Sequence, residues 1–209
     1  MSRHLHLMGA GGVGMCGLAE VLLADGYQVS GCDLELSERT ARLTELGARV
    51  DRGHDPAHLG DVDALVVSSA VSPAHPEVAA ARTAGLPVVR RAEMLGFLMR
   101  GARGVAVAGT HGKTTTTALT GHLLDAVGLS PTVVVGGNAR FLGAHGRRGA
   151  GELLVCEADE FDRSFLELNP EIAVITNLEP EHLDCYGGEG ELEAAFATFA
   201  NRVTPFGLV

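Results

Sequence analysis

Lysine is almost missing from this chain: one residue, Lys113, stands against fifteen arginines in 209 positions. Tryptophan is absent, aromatic residues make up 4%, and the net charge is −10 with a pI near 5.3. A general nucleic-acid binder needs a basic face and stacking aromatics, so that class is excluded. No run reaches the ~18 apolar residues of a membrane span, and the N-terminus lacks a basic–apolar–small secretion pattern. Cys16, Cys32, Cys156 and Cys185 are widely spaced with no CxxC pair. They read as reduced, buried, small apolar side chains of a cytoplasmic protein. Any anionic ligand of so acidic a chain must be held by local devices: loop amides, helix N-termini, a few cations and a metal ion.

What is present is an ordinary globular composition, 46% hydrophobic and 20% charged, with 28 glycines, about twice the usual ~7% share. Short apolar runs alternate with helical periodicity. His4–Met8, Tyr27–Cys32, Ala64–Ser68 and Pro87–Val89 read as buried strands, and Val13–Ala24, Ser37–Leu46 and Pro76–Ala84 as helices between them. This alternation predicts an α/β fold with a doubly wound parallel sheet. A helix from Arg91 to about Met99 leads into Arg100–Gly104, which reads as a hinge, and the pattern then restarts. Strands are expected at Gly104–Ala108, Thr132–Val135, Leu153–Cys156 and Ile172–Thr176, with helices at Lys113–Val127 and Glu191–Val203. The reading divides the chain into domains 1–102 and 103–209. The last residues, from Thr204 to Val209, begin an apolar run that reads as an interruption within a sheet.

Gly9-Ala10-Gly11-Gly12-Val13-Gly14 follows the first strand and opens the first helix, the context G-x-G-x-x-G requires. Asp33, at the end of the next strand, is placed to accept a ribose hydroxyl. This loop and Asp33 alone admit NAD or FAD, and with them an NAD-dependent oxidoreductase. Ser68-Ser69 closes another strand at the sheet edge where such folds bind ligands, although a serine there also caps helices. Gly53-His54 is a loop pair with no reading beyond an exposed or structural histidine.

The single lysine lies in Gly109-Thr110-His111-Gly112-Lys113-Thr114-Thr115, between a strand and a helix. A compact ammonium at a glycine loop with adjacent hydroxyls suits nucleotide phosphates: amides wrap the oxygens, Lys113 reaches the terminal phosphates and Thr114 holds Mg²⁺. The loop is two residues shorter than G-x-x-x-x-G-K-[ST], because position 107 is valine, which argues against the common kinases and nucleotidases. Magnesium wants oxygen ligands. Two acidic clusters follow later strands, Glu157-Ala158-Asp159-Glu160 and Asn177-Leu178-Glu179-Pro180-Glu181-His182-Leu183-Asp184, and would converge on those phosphates.

Taken together, GAGGVGM at Gly9–Met15, Asp33, Gly53-His54, SSAV at Ser68–Val71, AEML at Ala92–Leu95, GTHGKTTT at Gly109–Thr116, EADE at Glu157–Glu160 and NLEPEHLD at Asn177–Asp184 resemble the Mur ligases. GAGGVGM with SSAV points to their alanine-adding branch, while the branch that recycles murein tripeptide shares the ATPase motifs. The resemblance implies a Rossmann-like domain binding the UDP part of UDP-N-acetylmuramate, followed by a partial P-loop-type α/β ATPase domain. It implies ATP and Mg²⁺ as cofactors, L-alanine as second substrate, and an acyl-phosphate route to an amide in peptidoglycan synthesis. Gly109, Thr110, His111, Gly112, Lys113, Thr114 and Thr115 would then bind ATP. Thr114, Glu157 and His182 would hold the metal, with Lys113, Glu157 and His182 serving catalysis. Gly11, Gly12, Val13, Gly14, Met15 and Ser69 would face the UDP phosphates, Asp33 and His54 the uridine, and Asn177 the muramoyl group. Phe161 where the family usually has Ser, and Glu181 where Asp is commoner, are departures. The resemblance also implies further sequence carrying the adenine and amino-acid pockets, so that these 209 residues alone would not complete the reaction.

Overall fold

The computed structural model describes residues 2–137, 143–181 and 185–209. Two five-stranded sheets form. In the first, β1 (His4–Met8), β2 (Gln28–Asp33), β3 (Arg49–Arg52), β4 (Ala64–Val67) and β5 (Val88–Arg90) run parallel in the order β3-β2-β1-β4-β5. Helices α1 (Val13–Ala24), α2 (Glu38–Glu45), α3 (Pro76–Thr83) and α4 (Arg91–Met99) connect or follow them. Side chains alternate faces along a strand, and each face fills its own core. Leu5, Leu7, Val29, Ala64 and Val66 pack with α1, whereas Met8, Cys32, Leu65 and Val67 pack with Val78 and Ala81 of α3. The strand order reverses between β1 and β4, which opens a crevice beyond their C-terminal ends.

The second sheet has the order β10-β6-β9-β7-β8: β6 (Arg103–Ala108), β7 (Thr132–Val134), β8 (Gly146–Arg147), β9 (Leu153–Glu157) and β10 (Ile172–Ile175), with helices α5 (Lys113–Ala126) and α6 (Glu189–Ala200). It is mixed rather than all-parallel, because β8 runs antiparallel to β7. Two residues are too few to show a period, so the sequence carried no sign of this strand. Leu208 bridges Ile172 in parallel, beside β10.

Helix α1 ties the sheets together. Its residues from Met15 to Leu22 are all buried, and a helix apolar on every side must be covered on every side. Leu18, Ala19 and Leu22 serve the first core while Val21 joins the second. Gly17 lets the helix touch the strand segment opposite, since a Cβ there would lie 2.6 Å from the His145 carbonyl. The Glu20 carboxylate accepts the amides of His145 at 2.9 Å and Gly146 at 2.6 Å, and pairs with Arg42. The segment expected to hinge is ordered into this frame: the Arg103 amide bonds the Glu152 carbonyl at 2.8 Å and its guanidinium pairs with Glu171 at 2.6 Å.

Candidate functional site

The first glycine loop turns through Gly9, at φ +76°, and delivers the chain to α1 with Gly12 as N-cap. A glycine cap offers no side chain to the first-turn amides, so those of Val13, Gly14 and Met15 have no intrahelical acceptor. The Gly11 amide is already used, donating to Asp33 at 2.8 Å, and the Gly12 amide donates to the Gly9 carbonyl at 2.9 Å. Asp33 therefore stiffens the loop. Ser68 stands across the crevice, 3.5 Å from where a Gly9 Cβ would be, and Ser69 beside it is exposed.

A residue the sequence reading passed over completes this edge. Arg91 begins α4, and its guanidinium lies 3.1 Å from the position a Gly14 Cβ would take. A basic pair, Arg90-Arg91, where a strand gives way to a helix was the available sign. Gly12, Val13, Gly14, Met15, Ser68, Ser69 and Arg91 line a cavity of about 230 Å³ together with Gly136, Glu157 and Asp159 of the second sheet. The C-terminal edges of the two sheets thus meet across one space. A larger cavity of about 430 Å³ adjoins it through Ser68 and Ser69 and runs past Arg82, Arg90 and Asp162.

His54 is not among the residues lining either cavity. Its Nδ1 sits 3.0 Å from Cys32 Sγ, largely buried. Burial pushes the Cys16 and Cys156 thiols up to about 12, and burial together with the Glu77 carboxylate raises the Cys32 thiol as well; what sets Cys32 apart from a plain apolar filler is its polar neighbours.

The second glycine loop is fastened to the end of β10. The His111 amide donates to Asn177 Oδ1 at 2.9 Å, the Asn177 amide group donates back to the His111 carbonyl, and Thr110 Oγ1 accepts the Glu179 amide at 2.9 Å. The Thr176 hydroxyl, absent from the sequence reading, donates to the His111 carbonyl at 2.6 Å. It occupies the space a side chain on Gly109 would need. Gly112 takes the left-handed conformation, φ +82°, that turns the loop into α5.

Lys113 does not reach into solvent. Its ammonium donates to both Glu160 oxygens at 2.8 Å and to the Gly109 carbonyl at 2.7 Å, and the Glu160 side chain is almost wholly buried. The quartet 157–160 was legible as acidic, but which of its members would hold the lysine was not. Glu157 lies at the end of β9. Burial pushes its carboxyl above the usual range, against the Gly136 amide and the Thr114 hydroxyl, which pull it down. Its Oε1 is buried without a hydrogen-bond partner among the described residues. An orphaned carboxylate oxygen beside a threonine hydroxyl has the hard-oxygen chemistry that Mg²⁺ selects. His182 falls outside the described residues.

The Mur ligase family catalytic-domain model matches residues 4–103 and the Mur ligase middle-domain model residues 107–209. The UDP-N-acetylmuramate–L-alanine ligase of Sorangium cellulosum is 56% identical over 206 residues, 99% of this chain and 44% of that protein. Among solved structures, the UDP-N-acetylmuramate–alanine ligase of Thermotoga maritima matches with a TM-score of 0.88 and 33% identity, over 96% of this chain and 47% of that one. The UDP-N-acetylmuramate:L-alanyl-gamma-D-glutamyl-meso-diaminopimelate ligase of Neisseria meningitides matches with a TM-score of 0.92 and 30% identity, over all of this chain and 71% of that one. The chain spans less than half the length of the curated relatives it matches. With both of its sheets matched in order and its two glycine loops in their strand–loop–helix settings, the chain belongs to the Mur ligase family.

Proposed function

We propose that this chain forms the sugar-nucleotide site and part of the ATP site of a UDP-N-acetylmuramate–L-alanine ligase of the cytoplasm. The observation that carries this is the shared cavity, in which first-turn amides of α1, Ser69 and Arg91 face Glu157 across one space. A diphosphate seated on Val13, Gly14 and Met15, with Arg91 as counter-charge, directs an attached sugar acid toward Glu157 and the lysine loop. Asp33 acts first by holding Gly11 in place, with the uridine beyond it, and His54 supports that edge from the Cys32 side. The division at residue 102 follows the same logic, with 1–102 binding the sugar nucleotide and 103–209 the ATP.

A free carboxylate is a poor electrophile, and the reaction supplies a leaving group. The muramoyl carboxylate attacks the γ-phosphorus of ATP, ADP departs, and the acyl phosphate loses phosphate when the amine of L-alanine adds. Little covalent work falls to the protein; it aligns the reactants and neutralises charge. Amides of Gly109–Thr115 cradle the phosphates, and Lys113 leaves Glu160 for the β- and γ-oxygens. Thr114, Glu157 and His182 would hold Mg²⁺, which when bound would supply positive charge beside the transferring phosphoryl group. Asn177, already bonded to the loop at His111, orients the muramoyl group. Identities of 50–56% to alanine-adding relatives over 99% of this chain favour L-alanine as the second substrate.

Calorimetry tests the site. UDP-N-acetylmuramate should bind the chain, and Arg91→Met should weaken it at least tenfold while leaving ATP–Mg²⁺ within twofold. Glu157→Gln should do the reverse: it relieves a buried charge, raises the melting temperature without metal, and removes Mg²⁺ from the ATP complex. Unchanged sugar-nucleotide affinity in Arg91→Met would overturn the diphosphate placement.

A further inference from the structure

On the face of the first sheet away from α1, four groups from four elements converge. His6 comes from β1, Cys32 from β2, His58 from the 3-10 turn Pro56–Leu59, and Glu77 from the first turn of α3. One ligand atom from each lies within 4.8 Å of the others. His6 and Glu77 are completely buried, and the His58 side chain is 14% exposed. None of these four residues lines the two cavities described above.

A carboxylate with no access to water needs a compensating charge. Among the described residues, the ion pairs of Glu77 are to His6 at 3.3 Å, His58 at 3.2 Å and His54 at 3.6 Å, with no arginine or lysine. His58 Nδ1 is approached by the Asp55 amide at 3.4 Å and by Glu77 Oε1 at 3.2 Å, and its single in-plane position cannot serve both at once. His6 Nδ1 is engaged by the Ser30 hydroxyl at 2.8 Å, leaving Nε2 aimed at Cys32 and Glu77. A partner fixing one ring nitrogen while the other points inward is the usual arrangement of a metal-binding histidine.

Distances agree with this. Metal–ligand bonds of about 2.0–2.3 Å set in a tetrahedron put neighbouring ligand atoms about 3.3–3.7 Å apart. Here His6 Nε2 to Cys32 Sγ is 3.4 Å, and Glu77 Oε1 lies 3.3 Å from His6 Nε2, 3.2 Å from His58 Nδ1 and 3.8 Å from Cys32 Sγ. Two nitrogens, a sulfur and a carboxylate oxygen form a borderline-soft set that suits Zn²⁺ and disfavours Mg²⁺. We propose that His6, Cys32, His58 and Glu77 bind a single Zn²⁺ ion, which pins the 3-10 turn and α3 to the sheet. On binding, Cys32 gives up its thiol proton to solvent and the thiolate joins the ion, so that His54 bonds to the thiolate from outside. The partly exposed His58 marks the way in.

The test uses the chelator-treated chain and no activity measurement. Titration with Zn²⁺ against a chromophoric chelator should give one equivalent bound and a raised melting temperature. Co²⁺ in its place should show thiolate-to-metal charge transfer. Cys32→Ser should abolish that band, and both Cys32→Ser and His58→Asn should weaken binding beyond the ~100-fold that loss of an outer-shell partner can cause. No stoichiometric binding, or equal binding by either variant, overturns the proposal. Should the variants fail to fold, X-ray absorption of the zinc-loaded parent chain decides: a first shell without one sulfur refutes it. None of these outcomes depends on whether the chain binds ATP or UDP-N-acetylmuramate.

Discussion

Lys113→Ala is expected to abolish binding of ATP–Mg²⁺ while leaving UDP-N-acetylmuramate bound within a few-fold. It should also lower stability by about 3–5 kcal/mol, because it strands the buried Glu160 carboxylate without its cation. The two losses are separable. Adding Glu160→Gln removes the stranded charge, so the double variant should recover most of the stability and none of the ATP affinity. Denaturant titration reads the first quantity and calorimetry the second. If the double variant binds ATP, Lys113 is a structural partner of Glu160 and no more. If Lys113→Ala loses both ligands equally, the two glycine loops do not serve different ligands.

The second large effect is expected far from either loop. Glu20→Ala leaves the amides of His145 and Gly146 buried without an acceptor and removes the partner of Arg42. At about 1–3 kcal/mol for each orphaned buried group, the total cost should reach about 3–5 kcal/mol. Because Glu20 fastens α1 to the second sheet, the loss should also change cooperativity. Calorimetric unfolding of the parent chain is expected as one transition, and of Glu20→Ala as two. One sharp transition in the variant would mean that the apolar contacts of Val21 and Gly17 suffice to join the sheets.

How much of this could be read beforehand differs by element. Strands β1, β4 and β6 are short apolar runs bounded by glycine or serine, and the glycine loops announce themselves by spacing, so both sheets and both crevices were legible. The Lys113 loop stood out because no other side chain supplies an ammonium. What was hidden depends on tertiary placement. Arg91 is one arginine among fifteen until α4 brings it beside Gly14. Glu160 differs from Glu157 in sequence by nothing except position, yet one pairs with the lysine and the other has an oxygen without a partner among the described residues. Cys32 read as filler because its three histidine neighbours and Glu77 arrive from separate segments. The partners of the Arg100–Gly104 segment were hidden for a similar reason: glycine content describes what a backbone can do, and Arg103 is bound on both sides by partners that lie 49 and 68 residues away in the chain.

The two crevices are built from amide groups, hydroxyls and very few cations, on a molecule that carries ten excess negative charges. Attraction for phosphates therefore extends only a few ångströms from the loops, while the field farther out repels them. Background electrolyte shortens that outer barrier, with a Debye length falling from about 30 Å at 0.01 M to about 10 Å at 0.1 M, and hardly touches the contacts beneath it. Nucleotides should accordingly be captured faster as ionic strength rises from very low values, the opposite of what a basic phosphate-binding surface does.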